Sequence, residues 1–261
     1  HPLRERVEPS VLDLVVLPRV LVLEELFAQI VDDVVALAAE AGLAGIEWGA
    51  DRHVPPGSDA GSVADRCADA GLACPSYGTY LFAGRAAVDD VDAACATAVE
   101  LGATNLRIWA PDEAGAADVA DVADRAGGRG LTVSLEFHPG TRTGTAASTL
   151  ALLAEVDRPN LFTYWQPDPG LSRADALAEH AAVTGHLSHL HVFTWGPAGF
   201  VDRRPLADGV DLWQPVLAAE GTGRWGHDRW AFLEYVPGDD PACLVGEATT
   251  LRAWTGEAGR A

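Results

Sequence analysis

Short apolar runs alternate with longer alanine-rich stretches along nearly the whole chain, and this alternation constrains the fold more than any other feature. The apolar runs have the length of buried strands, and the alanine-rich stretches have the apolar spacing of amphipathic helices. We predict strands at 12–17, 45–49, 73–78, 105–110, 132–137, 162–166, 187–193 and 230–236. We predict helices at 23–41, 59–70, 86–101, 115–127, 145–156, 172–184, 209–219 and 241–255.

Eight strands, each followed by a helix, predict an α/β protein with the (β/α)8 architecture of a TIM barrel. A length of 261 residues is usual for one such barrel, and no linker or low-complexity segment interrupts it. We therefore predict a single domain over 1–261. A doubly wound sheet is the rival, but it usually has fewer strands, and no G-x-G-x-x-G turn follows the first strand here.

The net charge is −20, and every basic residue is arginine. Such a charge repels nucleic acid and anionic membranes, so we predict neither as a partner. The apolar runs are far shorter than the roughly 20 residues of a membrane span. The absence of lysine excludes Schiff-base aldolases, PLP enzymes and P-loop phosphate sites, because each needs a lysine amine.

The four cysteines, at positions 67, 74, 95 and 243, lack the paired spacing of a metal site. We interpret them as buried thiols in a reducing compartment. The opening residues, HPLRERVEPS, are charged and contain no apolar run, so we expect no signal peptide. Together these features predict a cytoplasmic location.

Nearly every predicted strand ends in polar or aromatic side chains, which packing alone does not require. In a barrel, the carboxyl ends of the strands meet at one face, where the chemistry takes place. In chain order these residues are Glu47, Trp48, His53, Tyr77, Arg107, Trp109, Glu136, His138, Trp165, Gln166, His189, His191, Trp195, Glu234 and Tyr235.

Side chains two residues apart on a strand point the same way, so Glu136 shares a face with His138, and His189 with His191. If these faces point into the barrel mouth, carboxylates and imidazoles converge there. Buried carboxylates are costly unless they are paired or bind a metal. Oxygen and imidazole ligands without thiolate favour one Mn²⁺, Mg²⁺ or Co²⁺ ion, with Zn²⁺ as the alternative.

The segments GIEWGADRHVPPG, SLEFHPGT, YWQP, HLHVF and LEYV resemble, in order and spacing, the sugar phosphate isomerase/epimerase family of xylose-isomerase-like TIM barrels. The resemblance covers roughly residues 12–255. It implies a divalent metal held by Glu136, Gln166, His191 and Glu234. It also implies that Glu136 and Glu234 move the substrate proton and that His53 and His138 contact the substrate.

The chain departs from the family pattern on strand six, where Gln166 replaces the usual aspartate. An amide oxygen still ligates a metal, and the two remaining carboxylates would neutralise a divalent ion. We predict that the substrate contacts the following residues: Glu47, His53, Tyr77, Arg107, Trp109, His138, Trp165, His189 and Trp195.

Several of these residues also have structural interpretations. Glu136 could form a salt bridge with Arg107 on the adjacent strand. His189 could support the site from behind or face the helices, and Gln166 could satisfy backbone groups. The loop 195–209 is either a lid or a solvated insertion.

Four tryptophans near strand ends have two interpretations. They are either ordinary core or apolar walls against which sugar rings stack. They are Trp48, Trp109, Trp165 and Trp195.

The sequence as a whole predicts a metal-dependent isomerase or epimerase of a sugar or polyol-like α-hydroxy carbonyl, acting by proton transfer through an enediolate. One alternative is a metal-dependent dehydratase of a keto-inositol or dehydroshikimate-like substrate. Another is a non-catalytic sugar-binding accessory barrel, which Gln166 would favour. An endonuclease IV-like repair enzyme has the same fold, but the charge argues against it.

The substrate is expected to be neutral rather than phosphorylated. The predicted last loop, VPGDDP, places Asp239 and Asp240 where barrels often hold phosphate, although Arg203 and Arg204 lie in the preceding loop. The sequence leaves the oligomeric state open, with a homodimer as one option.

Overall fold

The computed structural model describes residues 23–219 and 223–256. In this part of the chain, eight α-helices alternate with strands: α1 Leu23–Glu40, α2 Ala60–Asp69, α3 Val88–Glu100, α4 Ala116–Gly127, α5 Ala146–Val156, α6 Arg173–Val183, α7 Val210–Ala218 and α8 Leu244–Thr255. Each begins and ends within three residues of its predicted bounds. The predicted strand at 12–17 lies outside the described residues.

Seven parallel strands form the main sheet: β1 Trp48–Gly49, β2 Ser76–Phe82, β3 Asn105–Trp109, β4 Thr132–Leu135, β5 Leu161–Trp165, β6 Leu187–Val192 and β9 Ala231–Leu233. Their spatial order is the order of the chain. A separate antiparallel hairpin, β7 Thr194–Trp195 and β8 Arg203–Arg204, lies in the loop after β6 and was not predicted. The seven strands and the eight helices have the layered arrangement of an α/β barrel.

The main sheet curls around a polar interior. Glu47, which directly precedes β1, accepts a hydrogen bond from the Tyr164 hydroxyl of β5 at 2.8 Å. Its other oxygen lies 3.3 Å from Nε2 of His191 on β6. Strands that are four and five places apart in the sheet therefore face each other across the interior, which a flat sheet does not allow.

Between the sheet and the helices lies the hydrophobic core. Val133 and Leu135 of β4 are fully buried there, as the alternation along this strand requires. Side-chain caps begin three of the helices, with Asp59, Thr145 and Ser172 each accepting a hydrogen bond from the first helical turn.

The cysteines are all free thiols, and those at positions 67, 74 and 95 are buried as predicted. The prediction was wrong for Cys243, which is partly exposed because it lies in a short turn just before α8.

A β-bulge interrupts the pairing of β5 with β6. Thr163 pairs with Leu187, whereas Trp165 pairs with Leu190, so β6 contains one extra residue between these two points. The bulge allows both Ser188 and His189 to face the interior. The Ser188 hydroxyl lies 2.7 Å from the Ser134 hydroxyl of β4, and the His189 ring packs edge-on against Tyr164.

Candidate metal centre and active site

Three predicted metal ligands converge at the carboxyl ends of β4, β6 and β9. Glu136, His191 and Glu234 each place one ligand atom within 4.8 Å of the other two. Glu136 follows the last residue of β4, and its N–H donates to the Ile108 carbonyl at 2.9 Å, so the strand pairing fixes its position. Gln166, the fourth predicted ligand, has its amide oxygen 2.8 Å from Nδ1 of His191.

Both ring nitrogens of His191 face oxygen atoms. Nδ1 lies 2.8 Å from Oε1 of Gln166 and 3.5 Å from Oε2 of Glu234, and Nε2 lies 3.3 Å from Oε2 of Glu47. A neutral imidazole carries one proton, so one nitrogen would direct its lone pair at an oxygen. A metal ion between that nitrogen and the facing oxygens would remove this repulsion.

The centre carries more negative than positive charge. Arg107 donates to Oε2 of Glu136, and its Nε lies 3.3 Å from Oε2 of Glu47. Burial alone would raise the pKa of Glu47. The charge of Arg107 and the hydrogen bond with His191 together outweigh burial, so the pKa lies well below its usual range. Three carboxylates (Glu47, Glu136 and Glu234) and one guanidinium leave a charge of −2, which a divalent cation neutralises.

Glu234 provides a further indication of a cation. Its Oε2 is buried, and no residue in the described part of the chain donates a hydrogen bond to it. A buried carboxylate oxygen without a donor is costly, and a metal ion removes that cost. The residues present therefore fit a divalent cation held by oxygen and imidazole nitrogen.

One cavity connects the centre with the barrel mouth. Its lining includes Glu47, His53, Tyr80, Arg107, His191 and Glu234. Burial lowers the pKa of His53, which therefore presents a neutral imidazole near neutral pH.

An arc of aromatic rings borders the mouth. The Trp109 ring stacks on Tyr80 at 5.9 Å and lies 4.7 Å from His138. His138 in turn stacks on Phe200 at 6.0 Å, and Phe200 lies 5.4 Å from Trp195. The predicted aromatic wall therefore includes Trp109 and Trp195.

Two of the four tryptophans do not reach the mouth. Trp165 is fully buried on the helix side of the sheet, where it packs against His180 of α6 and Trp213 of α7. Trp48 is 1% exposed and belongs to the core. The prediction of substrate contact by Trp165 is thus corrected, because its neighbour Gln166 faces inward and adjacent side chains face opposite ways.

Two other predicted substrate contacts are enclosed. Tyr77 is fully buried, and its hydroxyl donates to the Val54 carbonyl, which makes it a packing residue. His189 is 1% exposed, and its Nδ1 accepts a hydrogen bond from the Trp230 backbone at 3.1 Å. Burial lowers the pKa of His189 to about 3, and it lies too deep in the barrel to contact a substrate at the mouth.

A layer of small polar groups beneath the centre was not predicted. Asn105 donates to the Ser76 hydroxyl at 3.0 Å and accepts from the Ser134 hydroxyl at 2.7 Å. Tyr164 donates to Glu47 at 2.8 Å, and its hydroxyl oxygen lies 2.7 Å from that of Ser76. Because Tyr164 is two residues before Gln166 on the same strand, alternation would have predicted that both side chains face the barrel interior.

The hairpin β7–β8 extends over one side of the mouth. Arg203 stacks on the Tyr235 ring at 4.0 Å and forms an ion pair with Asp239 in the loop after β9. Phe200, between the two hairpin strands, reaches the His138 ring that follows β4. The loop 195–209 therefore covers part of the mouth, as a lid would.

The sequence profile of the xylose isomerase-like TIM barrel family matches residues 35–219, which is more than half of the chain. The chain belongs to this family. No curated protein matches this xylose isomerase-like barrel. In addition, no helix in the described ranges combines the length and apolar character needed to cross a membrane.

Several solved structures are similar in fold to this chain. The probable 3-DHS dehydratase AsbF of Bacillus anthracis is 20% identical, with a TM-score of 0.67 over 84% of this chain and 92% of that chain. A xylose isomerase-like TIM barrel protein of Mycobacterium smegmatis in complex with magnesium is 16% identical, with a TM-score of 0.63 over 89% and 90%. The D-allulose 3-epimerase of Methylomonas sp. is 18% identical, with a TM-score of 0.59 over 87% and 92%.

Proposed function

We propose that this barrel is a divalent-metal-dependent isomerase or epimerase of a neutral sugar or polyol-like α-hydroxy carbonyl. The observation that carries the proposal is the meeting of Glu136 and Glu234 with His191 within 4.8 Å. The two glutamates follow different strands, β4 and β9, so they approach a bound substrate from different directions.

A divalent ion at this centre would be held by Glu136, His191 and Glu234, with Gln166 beside them. When bound, it supplies Lewis acidity to the carbonyl and hydroxyl oxygens of the substrate. The carboxyl groups of Glu136 and Glu234 then provide the base, which is ionised, and the acid, which carries a proton. One removes the proton from the carbon next to the carbonyl, and the other returns a proton to the opposite face or to the neighbouring carbon.

The surroundings of the two glutamates support different tasks. Glu136 is 3% exposed and is oriented by the guanidinium of Arg107, so it is fixed in place. Glu234 is 25% exposed and faces the cavity, where it has room to approach a substrate carbon. The aromatic arc from Tyr80 to Trp195 offers flat apolar surfaces against which the C–H faces of a sugar ring pack.

The second candidate is a dehydratase, in which the same proton removal is followed by loss of hydroxide from the neighbouring carbon. This candidate is supported by two further proton-carrying side chains at the mouth, Tyr80 and His138, which lie on either side of Trp109. Either supplies the proton that a departing hydroxide needs. A non-catalytic sugar-binding barrel would need neither the metal nor a proton carrier.

The test begins with the metal content of the purified full chain, measured by elemental analysis. A panel of ketoses and keto-inositols is then incubated with the Mn²⁺-loaded protein in D₂O. We expect deuterium at the carbon next to the carbonyl, because carboxylates exchange the carried proton with solvent. Loss of water instead of stereochemical inversion would identify the dehydratase.

Matched variants assign the proton carriers. Glu136→Gln and Glu234→Gln should each lower the exchange rate by about 10²–10⁴-fold, the usual contribution of a general acid or base. Glu155→Gln serves as the control, since this exposed glutamate pairs with Arg142. Full exchange in either active-site variant, or product without deuterium, would refute the proposed roles.

A further inference from the structure

Glu47 has three hydrogen-bonding partners and one ion-pair partner within the protein. Its Oε1 accepts from the Ser76 and Tyr164 hydroxyls, both at 2.8 Å. Its Oε2 lies 3.3 Å from Nε2 of His191 and 3.3 Å from Nε of Arg107. The side chain is only 9% exposed, so little of the carboxylate is left for a substrate.

The polar layer beneath the centre holds this carboxylate in one orientation. The Tyr164 hydroxyl, which donates to Glu47, lies 2.7 Å from the Ser76 hydroxyl, and Asn105 donates to the same Ser76 hydroxyl at 3.0 Å. Asn105 is itself held by the Ser134 hydroxyl at 2.7 Å. Because β1 to β5 all contribute to the layer or flank it, Glu47 cannot turn away without breaking several buried hydrogen bonds.

The orientation of Glu47 determines which nitrogen of His191 carries the proton. With a cation on the Nδ1 side, the single ring proton belongs on Nε2, where the carboxylate of Glu47 accepts it. The lone pair of Nδ1 then points toward Gln166 and Glu234, which lie 2.8 Å and 3.5 Å away. Metal-binding histidines commonly donate their second ring N–H to a carboxylate in this way.

We infer that Glu47 is the positioning residue of the metal centre. It holds His191 with Nε2 protonated and Nδ1 free to bind a divalent cation, and it does not contact the substrate. The inference rests on the metal site of the proposed function and replaces the predicted substrate contact of Glu47.

A plain ion pair with Arg107 is the competing role for Glu47. Arg107 already donates to Glu136, and its Nε approaches the same oxygen of Glu47, Oε2, as Nε2 of His191. If Glu47 served Arg107 alone, its loss would alter the charge of the centre but leave the coordinating nitrogen unchanged. The coordination spectrum therefore separates the two roles.

The experiment titrates the metal-free full chain with Co²⁺, recording affinity by calorimetry and geometry by visible absorption. Glu47→Gln should weaken Co²⁺ binding by about 10–100-fold, the usual effect of losing such a partner. It should also shift the visible band, because the ring is no longer held in one tautomer. Tyr164→Phe removes one hydrogen bond to Glu47 but keeps the carboxylate, so affinity should change less than about threefold with an unchanged band.

The same inference can be checked without a variant. Long-range ¹H–¹⁵N spectra of the Zn²⁺-loaded wild-type protein should show His191 protonated at Nε2 and metal-bound at Nδ1. The opposite assignment would overturn the inference, as would wild-type Co²⁺ affinity and spectrum in a folded Glu47→Gln variant. An unshifted band with weaker binding would favour the ion-pair role instead.

The outcomes also separate this inference from the proposed function. If the wild-type protein binds no divalent cation, the metal site and the inference both fail. If the wild type binds Co²⁺ and Glu47→Gln binds it identically, the inference alone fails.

Discussion

The guanidinium of Arg107 lies directly against the backbone of Gly78. The two residues are paired across β2 and β3, and a β-carbon built on Gly78 would come within 2.5 Å of Nη2 of Arg107. The missing side chain thus creates the space in which Arg107 reaches Glu136. Gly78 does not have a positive φ, so its backbone conformation does not require glycine. The space for Arg107 is the reason for a residue without a side chain at this position.

Gly78→Ala should displace Arg107 and release Glu136 from its hydrogen bond. We expect at least a tenfold loss of kcat/KM, together with a loss of about 1–3 kcal/mol in the free energy of unfolding from overpacking. Steady-state kinetics and urea denaturation measure the two effects. Gly246→Ala is the control, because a β-carbon there meets no atom within 4 Å. Unchanged activity in Gly78→Ala would show that the placement of Arg107 does not matter.

Gln166→Glu should tighten the binding of a divalent cation. The substitution keeps the length of the side chain and adds a negative charge where the amide oxygen now lies 2.8 Å from His191 Nδ1. The charge of the ligands is one determinant of cation affinity, so we expect at least a tenfold lower Kd for Mn²⁺ by calorimetry. Gln166→Ala should bind no more tightly than the wild type. Equal affinity in all three proteins would mean that position 166 does not ligate.

A neutral substrate should be turned over faster than its phosphate ester. Arg203 is paired with Asp239, and Arg204 is paired with Asp202 at 2.6 Å, so neither arginine is left uncompensated near the mouth. Asp239→Asn would free Arg203 and should raise kcat/KM for the phosphate ester relative to the neutral sugar. A strong preference of the wild type for the ester would contradict this prediction.

Acid should destabilise the protein partly through His180. This residue of α6 is 4% exposed, and burial, with a smaller contribution from Arg229, lowers its pKa to about 4. Below about pH 6.5 His180 binds a proton in the unfolded chain, whereas in the folded protein it stays neutral down to about pH 4. The free energy of unfolding therefore falls as the pH drops from about 6.5 to about 4. At pH 5 the contribution is about 2 kcal/mol.

His180→Gln should remove that part of the pH dependence. Urea denaturation at pH 7 and pH 5 gives the change in unfolding free energy for each protein, and the wild type should lose about 2 kcal/mol more than the variant. The pH 7 value controls for the packing change against Trp165. Parallel losses in both proteins would show that His180 titrates normally.

Local periodicity made the helices and most strands predictable. The helix α5, for example, was predicted at 145–156 and lies at Ala146–Val156. Its cap at Thr145 and its apolar face both depend only on residues close together in the sequence. The hairpin β7–β8 was not predictable, since its strands are two residues each and carry no period.

The position of residues at strand ends placed the metal candidates correctly relative to one another. Glu136, His191 and Glu234 converge because parallel strands in a barrel bring their carboxyl ends to one face. Alternation could also have predicted that Trp165 and Tyr164 face opposite sides of the sheet. It fails, however, at the bulge in β6. One extra residue turns both Ser188 and His189 inward, and no local signal marks it.

The sequence by itself determined the helices, most of the strands and which residues stand at the carboxyl ends of the strands, because these depend on spacing along one segment. Only the tertiary structure decided how those side chains pair across the interior. Glu47 and His191 lie 144 residues apart, and their 3.3 Å contact depends on the curl and register of the whole sheet. The same is true of the space over Gly78 that receives Arg107, since it arises from how two strands align.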